Sequence, residues 1–391
     1  MSRPFLLLLL AFGVVQSFEA APTACAAVVE ALYVVGGTTL TTYNVNPQTG
    51  QVEPVGTPLN LGSGVASSPL ASSPDGHFLY VPCCISGTQA LSVYTTDAKA
   101  VPQAPAIQVI PGNFIKIVVD ANGRFAYGLS LEQDKNYNQI YSVHIFEIAA
   151  LSGKLTEVKI EHRYNEGTCC AWFNLDGFDS RGARLYDDEG NDLGGGGGSL
   201  WYEQQVDPKT GDLGKRVFLI NGSYAGQGQY ASVALGDKVI LLSQTVDGNP
   251  SESWLDVYPH VPNPRSPLIH CTTSMLNVCG YLNGFQLDPS QQNVFLSSST
   301  DTITVAQMNL AQGNLVATGS TIPSGQTLYF NNSDTLVYAL EFSNGSGTVS
   351  TYRFQASTGK VTPGAQVSLG DSTFEPLIYP SERTPDDVLT H

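Results

Sequence analysis

Apolar and polar residues alternate in short runs along most of the chain. Leu40-Thr-Thr-Tyr-Asn-Val45, Phe78-Leu-Tyr-Val81 and Thr348-Val-Ser-Thr-Tyr-Arg-Phe354 are examples. A period of two marks a strand whose two sides meet different surroundings. Turn residues close the runs, and they recur in a pattern. Five segments share a polar loop, a Gly, one further residue and then an apolar residue opening a strand. They are Asn46-Pro-Gln-Thr-Gly50-Gln-Val52, Ala150-Leu-Ser-Gly153-Lys-Leu155, Asp207-Pro-Lys-Thr-Gly211-Asp-Leu213, Leu310-Ala-Gln-Gly313-Asn-Leu315 and Ala356-Ser-Thr-Gly359-Lys-Val361. Each predicts a hairpin with Gly where the backbone needs positive φ.

The glycines stand at 50, 153, 211, 313 and 359, so the gaps are 103, 58, 102 and 46. Two gaps are double the others, which predicts two turns without the signature, near Asp97-Ala-Lys and near Pro259-His-Val-Pro-Asn-Pro264. The chain then holds seven units of about 50 residues, the period of a β-propeller blade with long loops. A second repeat fixes the phase. Ser73-Pro-Asp-Gly76-His-Phe-Leu-Tyr-Val81 is matched by Asp120-Ala-Asn-Gly123-Arg-Phe-Ala-Tyr127, with degraded copies at Asp179, Leu235, Asp288 and Asn332. It reads as the hairpin between the first and second strands of a blade, and the other Gly turn as the one between the third and fourth. The expected fold is all-β, a seven-bladed β-propeller of four antiparallel strands per blade. Ala31-Leu-Tyr-Val-Val-Gly-Gly37 lacks an inner strand of its own, and Phe374-Glu-Pro-Leu-Ile-Tyr379 is expected to supply it. That pairing closes the ring and removes the sheet edge.

Composition agrees. The chain has 39 Gly and 23 Pro, with 42% apolar and only 13% charged residues, and is rich in the Val, Thr and Tyr that favour strands. The formal charge of −16 argues against nucleic acid, whose binding rests on Lys and Arg neutralising phosphates, and against anionic membrane surfaces. The beginning reads as a secretory leader, with Arg3 followed by the apolar run Phe5–Val15, too short to span a bilayer. Residues 1–26 are therefore expected to be a signal peptide, cleaved after Ser17 or Ala26, followed by one propeller over 27–380 and a loose tail over 381–391. The expected location is secreted or periplasmic, the expected state a monomer, and no cofactor is called for.

These motifs resemble the lactonase-type seven-bladed propellers, the group that includes 6-phosphogluconolactonase and carboxymuconate cyclase. The resemblance covers residues 31–380 and rests on Ser73–Val81 and the repeated Thr-Gly-x-Leu/Val turns. Family members often open an inner strand with a His-Pro pair; here the equivalent positions read Ser67-Ser-Pro-Leu70 and Phe114-Ile-Lys116. The resemblance implies hydrolysis of a sugar lactone or cyclic organic acid. The alternative is a non-catalytic propeller that binds a saccharide, peptide or protein partner.

In such a ring the connections between blades and those between second and third strands share one face, where a ligand funnel is usual. The phase places Glu161-His-Arg-Tyr-Asn-Glu-Gly-Thr-Cys-Cys-Ala-Trp172 there. Its His162, Arg163 and Glu166 are the candidate catalytic residues: Arg to polarise a lactone carbonyl, His or Glu as general base. Cys169, Cys170, Trp172 and Tyr281 are candidate ligand contacts. Asp176, Asp179, Arg181 and Arg184 are expected on the opposite face. Tyr186–Ser199, acidic and then Gly-rich, reads as a disordered loop, and its carboxylates lack a calcium-loop order.

No cysteine pair has zinc-knuckle spacing, and no metal site is expected. Cys271 and Cys279 flank one loop, the simplest disulfide. Cys83-Cys84 and Cys169-Cys170 are doublets in non-adjacent blades, leaving open a strained bond within each doublet or paired buried thiols.

Overall fold

Ser73, Asp120, Asp179, Asp288 and Asn331 each open an equivalent hairpin, and each side chain folds back onto it. Asp120 Oδ1 accepts from the N–H of Arg124 at 2.7 Å and of Phe125 at 3.1 Å. Asp179 does the same with Ala183 and Arg184 (2.6 and 3.0 Å), Asp288 with Gln292 and Asn293 (2.9 and 2.8 Å), and Asn331 with Thr335 and Leu336 (2.9 and 2.8 Å). These bonds give the turn its donors' partners without a sheet neighbour. Three residues on, the backbone turns left-handed at Gly123 (φ 64°) and Gly182 (φ 65°). In the degraded copy Gln291 adopts φ 57° instead, so the turn survives the lost glycine at the expense of some strain.

The structure, a computed structural model, describes residues 29–383 apart from 37, 63–69, 86–87, 134–138, 165–170, 180, 192–197, 222–231, 237, 247–248, 279–281, 299–301, 324–326, 332–334, 344–345 and 372–376. It contains seven four-stranded antiparallel sheets. The inner strands of blades 2 to 7 are Ala71–Ser72, Phe114–Val119, Ala171–Phe178, Ser232–Leu235, Leu282–Leu287 and Thr327–Phe330. Each is followed in sequence by the second, third and outer strands of its blade. The two turns without the glycine signature are present: Asp97–Val101 joins two strands of blade 2, with Ala100 at φ 60°, and Pro259–Leu268 joins two of blade 5, with Asn263 at φ 48°.

Blade 1 takes its inner strand from the other end of the chain. Leu377–Arg383 pairs antiparallel with Val29–Gly36, Tyr379 opposite Tyr33. The strand starts three residues later than the sequence pattern indicated and runs past Pro380. A chain ending at Asp371 is expected to expose the edge of Val29–Gly36 and associate, and size-exclusion chromatography against the full chain checks this.

The hydrophobic residues form seven clusters, one in each seam between adjacent blades. In the seam between blades 3 and 4, Tyr127, Leu129, Val143 and Ile145 meet Phe173, Leu175 and Leu185. The two sequence repeats meet in these seams. A Cβ on Gly153, in the last turn of blade 3, would lie 2.2 Å from the Phe78 ring of blade 2. On Gly211 of blade 4 it would lie 2.5 Å from Phe125 of blade 3. Tyr127 also donates to Gly211 O at 2.8 Å, and Tyr33 to Ala100 O at 2.7 Å. Thr351 donates to Gly50 O at 2.6 Å, linking blades 7 and 1.

The acidic run departs from expectation. Asp187, Asp188 and Glu189 lie within a regular strand, Arg184–Asn191, the second strand of blade 4. Asp187 and Asp188 are buried. The Gly-rich 192–197 lies outside the described residues.

Candidate functional site

Inner strands border the central channel, and they are nearly free of charge. Those of blades 2 to 7 carry two charged residues, Lys116 and Asp176. Glu382 and Arg383 end the inner strand of blade 1. Lys116 and Asp176 belong to one cluster. Lys116 Nζ donates to Asn174 Oδ1 at 3.2 Å, and the Asn174 amide donates to Asp176 Oδ1 at 2.9 Å. Asp176 in turn hydrogen-bonds Asp188, on the neighbouring strand.

The strand pattern explains the convergence. Phe173 and Leu175 alternate toward blade 3 and its core, so Asn174 falls on the other side with its cross-strand partner Asp188. The ladder breaks between Leu175 and Gly177. Asp176 is the extra residue of that bulge, and Gly177 takes φ 144°. Two positions apart, Asn174 and Asp176 share that side of the strand as ordinary alternation requires, and their side chains meet there. Lys116 comes from blade 3, from the apolar run Phe-Ile-Lys-Ile-Val-Val. It faces blade 4, as does its cross-strand partner Leu129, and its long stem carries the ammonium across the seam.

Burial governs the protonation of these groups. It pushes the Asp176 carboxyl up to about 9; the charge of Asp188 adds to this and Lys116 opposes it. It pushes Asp188 up to about 6, against hydrogen bonds from Asn174 and Asp176 and the charge of Lys116. Burial also lowers Lys116 from the ordinary lysine value, while the two carboxylates hold it up. Two carboxyls in contact cannot both ionise freely, so the pair shares a proton near neutrality. Asp188 is 3% exposed, and apart from the contact between the two carboxyls neither its Oδ1 nor Asp176 Oδ2 has a donor from the protein. Unsatisfied acceptors of this kind are costly and cluster at working sites.

A second charge group braces the strand from its other side. Arg216 Nε donates to Asp187 Oδ1 at 3.0 Å and Nη1 to Glu189 Oε2 at 2.8 Å, and Nη2 also reaches Asp187. The guanidinium lies 3.7 Å from the Tyr202 ring centroid. Stacked and forked, it holds Arg184–Asn191 in place, and with it Asp188.

Of the candidate catalytic residues, His162 and Arg163 fall elsewhere. His162 and Arg163 are neighbours on Leu155–Tyr164, the outer strand of blade 3, so their side chains leave opposite faces of the sheet. His162 Nδ1 lies 2.8 Å from Ser142 Oγ. Arg163 Nη2 donates to Glu161 at 2.8 Å and to Gln204 of blade 4 at 3.1 Å. The outer strand does not bring the two together. Glu166, Cys169, Cys170 and Tyr281 lie outside the described residues, and Trp172 is placed by its backbone alone, near the start of the inner strand of blade 4. Of the residues expected on the opposite face, Asp179 opens the turn between first and second strands, but Asp176 lies within the inner strand, in the cluster.

Cys271 is a free, buried thiol 3.6 Å from Leu255 O, with its pKa pushed up to about 11 by burial. Cys279 lies outside the described residues. Cys83 and Cys84 sit in strand Phe78–Ile85, opposite Ala90 and Gln89. A crease of about 320 Å³ on the outside of the seam between blades 3 and 4 is lined by Phe125, Lys159, Lys209 and Asp212. Lys159 is already paired there with Glu161 at 2.9 Å and Asp212 at 3.2 Å.

The fold is a seven-bladed β-propeller, and two solved structures are similar to it over most of the chain. A candidate 6-phosphogluconolactonase from Bacteroides uniformis superposes with a TM-score of 0.58 at 14% identity, covering 90% of this chain and 99% of that one. A protein from Lactobacillus plantarum superposes with a TM-score of 0.59 at 14% identity, covering 90% and 100%. At such identity the likeness is one of fold. No protein-family model and no curated protein matches the sequence.

Proposed function

We propose that the protein is an exported lactonase-like hydrolase, and that its chemistry runs at Lys116, Asp176 and Asp188 on the channel wall. The observation that carries this is the hydrogen-bonded carboxyl pair with divided protonation beside a lysine, Lys116 and Asp176 on inner strands otherwise almost without charge and Asp188 on the adjoining strand. Such a pair is suited to acid–base work near neutral pH. The leader-like residues 5–15 support export.

The residues divide the work as follows. Asp188, the more acidic of the pair, takes a proton from water as the water oxygen attacks the lactone carbonyl carbon. The Lys116 ammonium stabilises the oxyanion that forms. As the ring C–O bond breaks, Asp176 gives its proton to the departing ring oxygen. The proton on Asp188 then passes along the hydrogen bond to Asp176 and restores the pair. One lactone and one water become one hydroxy acid, whose carboxyl proton is released to solvent.

Two expected results test the reading on a panel of sugar lactones followed in a pH-stat. The first is that kcat/KM is bell-shaped, with limbs near the pair's values of about 6 and about 9; a profile flat from pH 5 to 9 contradicts the pair. The second is that Lys116→Met lowers kcat/KM by roughly 100-fold or more, while Arg163→Ala, in the outer seam, stays within about three-fold of wild type. The reverse order of effects would move the chemistry to the outer strand. Absence of turnover across the panel, with saccharide binding retained, would establish the non-catalytic alternative.

A further inference from the structure

Strand alternation puts one more polar group on the carboxyl pair's side of blade 4. Asn174, Asp188 and Trp201 stand directly opposite one another on the inner, second and third strands. Partners in such a row leave the same face of the sheet. Here it is the face toward blade 5, where Trp201 packs with Leu219, Ile220 and Leu242. The indole N–H of Trp201 is shielded from solvent and has no acceptor among the described residues. An indole can only donate, and a buried one usually finds an acceptor. Left without one it costs the fold free energy, and such a group calls for an explanation.

The acceptors that share its face are committed. Asp188, opposite, takes the Asn174 amide and shares a proton with Asp176. Glu203, two residues further along the same strand, holds His260 Nε2 at 3.0 Å and Arg184 Nη1 at 3.5 Å. The side chains of Leu219, Ile220 and Leu242 carry no oxygen at all.

We propose that Trp201 contacts the substrate and sets its class, its indole N–H donating to a hydroxyl on the lactone ring. The inference rests on the hydrolase reading above and names the kind of lactone that site selects. Neighbouring strands are about 4.8 Å apart. A lactone whose carbonyl lies between Lys116 and Asp188 therefore turns its far side to Trp201, one strand further from the channel. Its carbonyl oxygen goes to Lys116 and its ring oxygen to Asp176, so the oxygens left for the indole are the hydroxyls of the ring. A lactone without them leaves the donor buried and unpaired. A site built to bond a hydroxyl discriminates strongly against the analogue that lacks it. Trp201 thereby selects sugar-type lactones over plain ones.

Two rings of one size, with and without hydroxyls, test this on the full-length protein. Glucono-δ-lactone and δ-valerolactone are followed in a pH-stat. The matching gluconolactam and δ-valerolactam, which are not hydrolysed as lactones, are titrated by calorimetry. The wild type is expected to bind gluconolactam tighter than δ-valerolactam by roughly 10-fold or more. Trp201→Phe keeps an aromatic ring in the seam and removes the donor. It is expected to weaken gluconolactam binding and raise KM for glucono-δ-lactone by roughly 10-fold, with kcat and both valero compounds within about two-fold of wild type. A merely structural role would move both rings together. Equal losses on the two rings, or no loss on either, overturn the inference. So does a wild type that binds the two lactams alike or binds neither, a comparison that needs no variant. Selective loss of gluconolactam binding in a protein that turns over neither lactone sinks the hydrolase reading and leaves the Trp201 contact standing. Turnover of both lactones, with Trp201→Phe indistinguishable from wild type, does the reverse.

Discussion

Asp176→Asn is expected to lower lactone hydrolysis by roughly 100-fold or more while leaving stability at pH 6 to 7 within about 1 kcal/mol of wild type. The two effects separate because of the proton. Near neutrality Asp176 is protonated, its carboxyl held up at about 9, and asparagine copies that form in shape and in the Oδ1 acceptor. It cannot give up a proton to a leaving oxygen.

The pH dependence carries a definite sign. Asp176 and Asp188 have folded values of about 9 and about 6, above the ordinary aspartate value of 3.8. Their stabilising contribution is complete below the unfolded value and is lost as pH rises through the folded values. Wild-type stability should therefore fall between pH 5 and 9, and the variant's should fall less. It does not become flat, because burial also raises Asp187. Lys116, lowered by burial, acts in the opposite sense and reduces the fall. Urea unfolding of both proteins at pH 5, 7 and 9 checks this. A wild type whose stability rises over that range would show the pair to be ionised. A variant that keeps its turnover would remove Asp176 from the chemistry.

Gly153→Val is expected to destabilise the fold by about 2–5 kcal/mol, from left-handed strain and overpacking together. Gly153 has φ 63°, and a Cβ there would lie 2.2 Å from Cγ and Cδ1 of Phe78 in the preceding blade. No rotation of the Phe78 side chain about its Cβ–Cγ bond moves Cγ away, so ring or turn must shift. A double-mutant cycle separates the steric part from the backbone part. Phe78→Ala makes room, so Gly153→Val should cost at least about 1 kcal/mol less in that background. Additive effects would mean that turn and ring do not press on each other. The same contact between Gly211 and Phe125 makes Gly211→Val its replicate one seam further on.

The seam contact explains why the architecture was readable from the chain and the chemistry was not. The turn glycines and the Gly-x-Phe-x-Tyr strands repeat because each must fit its neighbour in the next blade, seam after seam. Repetition makes such a constraint visible without an alignment. Even the two missing turns were located by spacing, because Ala100 and Asn263 can hold left-handed conformations in place of glycine. The cluster occurs once, so no period exposes it. One local signal was present, a lone lysine in the apolar run Phe114–Val119. Its partners carried none. Asp176 looked like part of a turn because a bulge delays the end of its strand, and Asp188 looked like part of a loop because three acidic residues in a row seldom enter a sheet. His162 and Arg163 looked like a pair because they are adjacent, but adjacency in a strand sends side chains to opposite faces.

The sequence by itself determined the number of blades, the phase of the strands and the two faces of the ring. All of these follow from local turn chemistry and from order along the chain. Only the tertiary structure decided which ionisable groups meet. Lys116 and Asp176 are separated by 60 positions, with Asp188 a further 12 on. Strand pairing within blade 4, an Arg216 brace behind one strand and a lysine stem spanning one seam bring them together. The exclusion of water at that meeting point holds one carboxyl protonated beside another that ionises. Burial is a property of the packed seam, and no order of residues displays it.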